Sequence, residues 1–290
     1  MSEMSGEAGY IAHENNPGSA KRVIDEINTP LVTPVMRWLI RRVLIQGAVQ
    51  RAFHAVRLRV EGDLTQLGTR ADPPVILIFS NHVSWWDAYL WDIFNTRLLR
   101  VEPIVMAEQR TVRNYGFFRH LGLFSVDRLN PRAAVEAIRH AVKRAIATQR
   151  AGVFIFPQGE FRPFEQRPLG FFGGAGRIVA DIVSAKGACV LLPLAMRLEF
   201  LGHQKPEAWL RCAAPISITP DHPLAANAKG LNALMEAALT EEMDGLAADL
   251  FARDDTRYPV LLRGTPDIQE WWDGVRRSAA RIFGARSTGG

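Results

Sequence analysis

Cysteine is nearly absent, with two residues in 290, Cys189 and Cys212, each inside an apolar run and without metal-ligand spacing. That excludes a disulfide framework and a cysteine metal site and fits a reducing compartment. A single bridge between the two stays open, but their surroundings favour small core residues. No apolar run approaches the ~20 residues that cross a bilayer as a helix. The first residues pass Glu3, Glu7, His13 and Glu14 before any apolar stretch, whereas an export signal needs a basic start and an early apolar block. No Gly-x-Ser-x-Gly turn occurs, so a serine hydrolase of that type has no candidate nucleophile. Internal repeats and low-complexity blocks are lacking too.

What is present is an ordinary globular composition, 48% hydrophobic and 22% charged, enough to bury a sizeable core. The net charge of +5 points to an anionic partner: nucleic acid, an anionic membrane surface or a phosphorylated substrate. Acidic residues are missing altogether from Ile27 to Val60, which holds Arg37, Arg41, Arg42, Arg51, Arg57 and Arg59. Leu31, Val35, Met36, Trp38, Leu39, Val43 and Leu44 are interleaved with them. Such a segment lies on a bilayer with arginines at headgroups and Trp38 at the acyl boundary, or packs on the protein's own core. Nucleic acid fits poorly, because the arginines fall in an apolar segment and not in a polar stripe with stacking aromatics. We expect no nucleic-acid partner.

Past a loose polar leader at 1–20 and the basic amphipathic segment at 21–56, short apolar runs alternate with helical patterns. Strands are expected near 58–60, 75–79, 104–106, 153–156 and 190–192, with 209–212 a weaker candidate. Helices are expected near 86–95, 112–121, 131–149, 175–186 and 224–253, and a last one near 267–283. The expected fold is therefore α/β, a mostly parallel sheet flanked by helices over 57–255, followed by a C-terminal helix and basic tail at 256–290. In such sheets chemistry gathers at the carboxyl ends of strands, so the loops after Phe79 and Phe156 matter most.

The first of these loops reads Asn81-His82-Val83-Ser84-Trp85-Trp86-Asp87. Ser84 with Asp87 three residues on is a helix capping box, which needs no catalysis to explain it. Capping explains neither His82 nor Asn81. A histidine held beside a carboxylate is oriented to take up a proton, and its ordinary pKa of ~6.5 suits a general base. A second block ends in Ser125-Val126-Asp127-Arg128, a third reads Phe156-Pro157-Gln158-Gly159-Glu160-Phe161-Arg162, and a fourth holds Pro193 in an apolar strand. Gly174-Ala175-Gly176 opens a helix without a buried strand before it, which fits close helix packing better than nucleotide binding.

Across about 58–196 these four blocks, in this order, resemble the lysophosphatidic acid and glycerol-3-phosphate acyltransferases. The resemblance implies that His82 deprotonates an acceptor hydroxyl and Asp87 supports it. Acceptor contacts are implied for Asn81, Ser84, Arg128, Gly159, Glu160 and Arg162. It also implies acyl-CoA or acyl carrier protein as donor, a lipid acceptor, an anionic membrane surface on the cytoplasmic side, and direct transfer without cofactor or metal. The third block departs from the family's Phe-Pro-Glu-Gly-Thr-Arg-Ser: Gln158 stands in the glutamate position, Glu160 in the threonine position and Phe161 in the arginine position. That departure leaves the reaction type standing and opens the acceptor to a glycolipid or other polyhydroxyl lipid as well as a lysophospholipid. A non-catalytic lipid-binding module on the same fold is the rival reading; it has no need of His82 and Asp87 together.

Overall fold

The computed structural model describes residues 34–64, 67, 73–108, 122–126, 131–268, 270–272 and 275–277. The polar leader, the helix expected at 112–121 and Arg128 lie outside the described residues.

A single mixed sheet forms the centre, in the order β4-β3-β5-β2-β6-β7-β1-β9, with β8 paired to β6. The strands are β1 (Ala55–Val60), β2 (Val75–Ser80), β3 (Glu102–Glu108), β4 (Leu123–Val126), β5 (Ala151–Ile155), β6 (Cys189–Glu199), β7 (Glu207–Cys212), β8 (Ile216–Ile218) and β9 (Val260–Arg263). From β4 to β6 every pairing is parallel. β6 then meets β7 and β8 antiparallel, β7 and β1 run parallel, and β9 closes the edge antiparallel to β1. β2 explains its own place at the centre. Val75-Ile76-Leu77-Ile78-Phe79 is apolar on both faces, all of it is buried, and such a strand is stable only between two layers.

The layers are helical. Leu77 and Phe79 face a core shared with α4 (Pro131–Ala147), α5 (Gly174–Lys186) and α6 (Ala228–Phe251). Ile76 and Ile78 face the other core, with Ile45 and Val49 and with α3 (Asp87–Phe94). Leu231, Met235, Leu239, Met243 and Leu246 form one buried stripe along α6, at the three- and four-residue spacing that keeps side chains on one helix face. Gly176 is where α5 meets α6: a Cβ there would stand 2.0 Å from the Ala228 carbonyl oxygen, so the glycine-rich start of α5 serves close packing.

One boundary is corrected. The strand Val260–Arg263 lies beyond the boundary drawn at 255, yet it is part of the sheet. It is short, and its two end residues are exposed, which hides it from an apolar-run search. The basic segment, for which a bilayer surface and the protein's own core were both open, sends its arginines in different directions. It is helical from Pro34 to Ala52, as α1 (Pro34–Ile40), a π-helical stretch (Arg41–Gln46) and α2 (Gly47–Ala52). Arg37 pairs with Glu102 at 3.3 Å, and Arg41 pairs with the buried Asp92 at 3.0 Å. Burial pushes the Asp92 carboxyl above its usual range and Arg41 pulls it only partly back. Arg41 is thereby drawn inward, Arg37 stays at the surface in its pair, and Val35, Met36, Trp38, Leu39, Val43 and Leu44 are exposed beside them. Among the described residues no helix is long and apolar enough to cross a membrane.

Candidate active site

β2 and β5 are parallel neighbours, with Phe79 opposite Ile155, so the loops that leave their carboxyl ends emerge side by side. In the first loop His82 Nδ1 lies 2.8 Å from Asp87 Oδ2. Asp87 is fully buried, and its two oxygens are saturated by the loop it closes. Oδ2 also accepts the backbone N–H groups of Val83 at 2.7 Å and Ser84 at 2.9 Å, and Oδ1 accepts the Ser84 hydroxyl at 2.7 Å. Half of the expected capping box is thus present, the carboxylate reaching back to the Ser84 N–H. The Ser84 hydroxyl accepts from Trp86 N–H at 3.1 Å instead of from Asp87. A carboxylate that accepts only donors places the imidazole proton on Nδ1 and leaves the lone pair on Nε2.

The third block grips this loop from the β5 side. Gln158, buried, accepts the His82 backbone N–H at 3.0 Å, and the Arg162 N–H donates to the His82 carbonyl at 2.8 Å. The ring of His82 stacks on Phe156, centroids 3.8 Å apart and 9° from parallel, and Trp91 stacks on Phe156 in turn at 3.7 Å. Phe161 leans on His82 at 4.1 Å. His82 is therefore held at its backbone, at Nδ1 and on its ring face, while its side chain stays 20% exposed. A base fixed in one tautomer and one rotamer, with its side chain still partly exposed, suits abstraction of a proton from an incoming hydroxyl.

The residues implied as acceptor contacts divide. Asn81 is corrected: it is 1% exposed, and its amide donates to the Met196 carbonyl and accepts the Met196 N–H, both at 2.8 Å. Those two bonds clamp the end of β2 to β6 and leave the amide no free face. The Ser84 hydroxyl is likewise spent inside the loop. Gly159 lies in the turn after β5, where its N–H donates to the Phe156 carbonyl at 2.9 Å. Glu160 and Arg162 pair with each other at 2.9 Å, and Arg162 Nη1 also donates to the Leu169 carbonyl at 2.9 Å. Gln158, Phe156, Phe161 and Trp91 were not anticipated as supports of His82. The position of Gln158 in the third block was the available signal, but its partner, 76 residues away in sequence, was not.

Residues 57–197 match the sequence model of the Acyltransferase family, and the matched span contains the whole arrangement around His82. The chain carries an acyltransferase-family domain. Among solved structures, this acyltransferase is similar to the crystal structure of the 1-acyl-sn-glycerophosphate (LPA) acyltransferase PlsC from Thermotoga maritima. The two share 15% identity at a TM-score of 0.49, over 71% of this chain and 79% of that one. No curated protein sequence matches it. Cys189 and Cys212, both free, are fully buried in the acyltransferase, and burial pushes the Cys189 thiol up to about 12. Such a thiol is neither exposed nor ionised near neutrality, so neither cysteine is a nucleophile for the acyl group.

Proposed function

We propose that this acyltransferase moves a fatty acyl group from a thioester, acyl-CoA or acyl carrier protein, to a hydroxyl of a lipid acceptor at the cytoplasmic face of a membrane. The observation that carries the reading is the His82–Asp87 pair, set on a buried carboxylate and walled by Phe156 and Phe161. His82 Nε2 takes the hydroxyl proton as the acceptor oxygen attacks the thioester carbonyl. The C–S bond then breaks, and the thiolate leaves with the proton returned by His82. Asp87 stabilises the imidazolium between those steps. Lipid mass spectrometry after supplying labelled acyl-CoA with a panel of hydroxylated acceptors tests the proposal. Acceptor-independent thiol release alone would sink it.

The acceptor head is the finer part of the proposal. In the third block Arg162 is tied to Glu160 and to the Leu169 carbonyl, while the Glu160 side chain is 56% exposed. A carboxylate repels a phosphate and accepts sugar or polyol hydroxyls, which supports an acceptor with free hydroxyls, such as a glycolipid, competing with lysophosphatidate. Glu160→Thr removes the carboxylate and frees Arg162. We expect kcat/KM for lysophosphatidate to rise about tenfold or more relative to the polyhydroxyl acceptor, with the donor's KM unchanged. An unchanged ratio would return the pair to the simple task of stiffening the turn.

The membrane part rests on the apolar face of α1 and the π-helical stretch, where Val35, Trp38, Leu39 and Val43 are exposed together. Truncating the whole segment would remove Ile45, Val49 and Phe53 from the core, so surface substitutions are the sharper test. Trp38→Asp with Leu39→Asp and Val43→Asp is expected to weaken binding to anionic vesicles at least about tenfold, with the melting temperature held within a few degrees. Equal sedimentation of the triple variant with vesicles would place the contact elsewhere.

A further inference from the structure

Three chain segments that the acyl-transfer chemistry does not use bring two histidines and a carboxylate together. His54 ends the turn before β1 and is buried, His203 lies in the connection between β6 and β7, and Asp267, also buried, opens the helical residues at 268, 270–272 and 275–277. One ligand atom from each lies within 4.8 Å of the others. The two imidazoles are stacked, centroids 3.6 Å apart and 10° from parallel, and Glu270 Oε2 stands 3.8 Å from His54 Nδ1. The junction beneath them is built from backbone. His54 N–H donates to Pro206 O at 2.9 Å, Gly264 N–H to His54 O at 2.8 Å, and Thr265 N–H to Gln50 O at 2.7 Å. Lys205 Nζ donates to both oxygens of Thr265 at 2.8 Å. At Gly264 a Cβ would stand 1.8 Å from the Phe53 carbonyl oxygen, so only glycine lets the chains approach this closely.

We propose that His54, His203 and Asp267 bind a divalent transition-metal ion of the zinc type, with Glu270 or a water in the fourth position. Two imidazole nitrogens with one or two carboxylate oxygens are a borderline donor set that suits zinc and its neighbours and disfavours calcium and magnesium. Asp267 Oδ1 accepts the Glu270 N–H at 2.8 Å, which orients the carboxylate and leaves Oδ2 for the ion. Tetrahedral bonds of ~2.1 Å put donors about 3.4 Å apart, so binding turns one ring out of the stack and draws the cluster inward. His203 is the ring able to turn, since it sits among the bends at 201–205. The ion staples the connection carrying the exposed Phe200 and Leu201 to the helical residues carrying the exposed Trp271 and Trp272.

The test is zinc titration of the chelator-treated full chain by calorimetry, with Co²⁺ visible absorption as a second readout of ligand geometry. We expect one ion per chain, a Kd tighter than about 10 μM, and a melting temperature that rises with zinc. His203→Ala, in a surface connection, should weaken binding about 10- to 100-fold. Asp267→Asn keeps an acceptor for the Glu270 N–H, so it folds even if the alanine variant does not, and it should weaken binding similarly. His222→Ala, outside the cluster, should change nothing. Wild-type protein that binds no zinc at 100 μM, or binding that survives both cluster substitutions or falls in His222→Ala, overturns the site.

Discussion

Replacing His82 with alanine is expected to lower acceptor-dependent acyl transfer about 10²- to 10⁴-fold, the usual contribution of a positioned base. The fold should survive. His82 belongs to a loop, its ring is partly exposed, and its two backbone bonds to Gln158 and Arg162 do not involve the side chain. The variant loses the ring stack with Phe156 but no buried polar partner except Nδ1, and Asp87 keeps three other donors. Thiol release from acyl-CoA, measured with and without acceptor on protein shown folded by circular dichroism, checks this. A variant that retains more than a few per cent of the wild-type rate would mean that another group takes the proton.

Asp87 separates holding the loop from stabilising charge. In Asp87→Ala the N–H groups of Val83 and Ser84, the Ser84 hydroxyl and the His82 Nδ1–H all lose their acceptor in a buried place. Orphaned groups of this kind cost about 1–3 kcal/mol each, and with relaxation of the loop we expect a total loss of about 3–5 kcal/mol by urea denaturation. Asp87→Asn is different. Its carbonyl oxygen can stand where Oδ2 stands and accept the same three N–H donors, while the amide faces the Ser84 oxygen. Most of the stability should be kept. The negative charge opposite the imidazolium is gone, however, and transfer should still fall about 10²- to 10⁴-fold, in kcat more than in KM. An asparagine variant with near wild-type kcat would reduce Asp87 to a loop fastener.

The fold and the site were legible to different depths. The buried strand Val75–Phe79 announced itself by apolar residues on both faces, and α4 by Pro131 at its first turn; both form where expected. His82 and Asp87, five residues apart, could be paired on paper because a turn and one helical step bring such positions together. Asn81 beside them could not be judged the same way. Its partner is Met196, 115 residues on, and without that contact an asparagine next to a candidate base is indistinguishable from a substrate contact. Arg41 could not be placed for the same reason, since the carboxylate that draws it inward is Asp92, 51 residues away.

By itself the sequence determined the alternation of strand and helix, the burial of both cysteines, and the place of the His82–Asp87 loop at the end of a strand. All of these follow from hydrophobic periodicity and from spacings shorter than a helical turn or two, which the chain carries locally. Only the tertiary structure decided that Gln158 and Arg162 hold the backbone of His82, that Asn81 fastens β2 to β6, and that Arg41 turns inward to Asp92 while Trp38 faces outward. It also decided that His54, His203 and Asp267 meet. Each of these contacts joins segments far apart in sequence, and a hydrogen bond or ion pair leaves no periodic trace in either partner. Such contacts become visible only when the sheet order sets which distant loops share an edge.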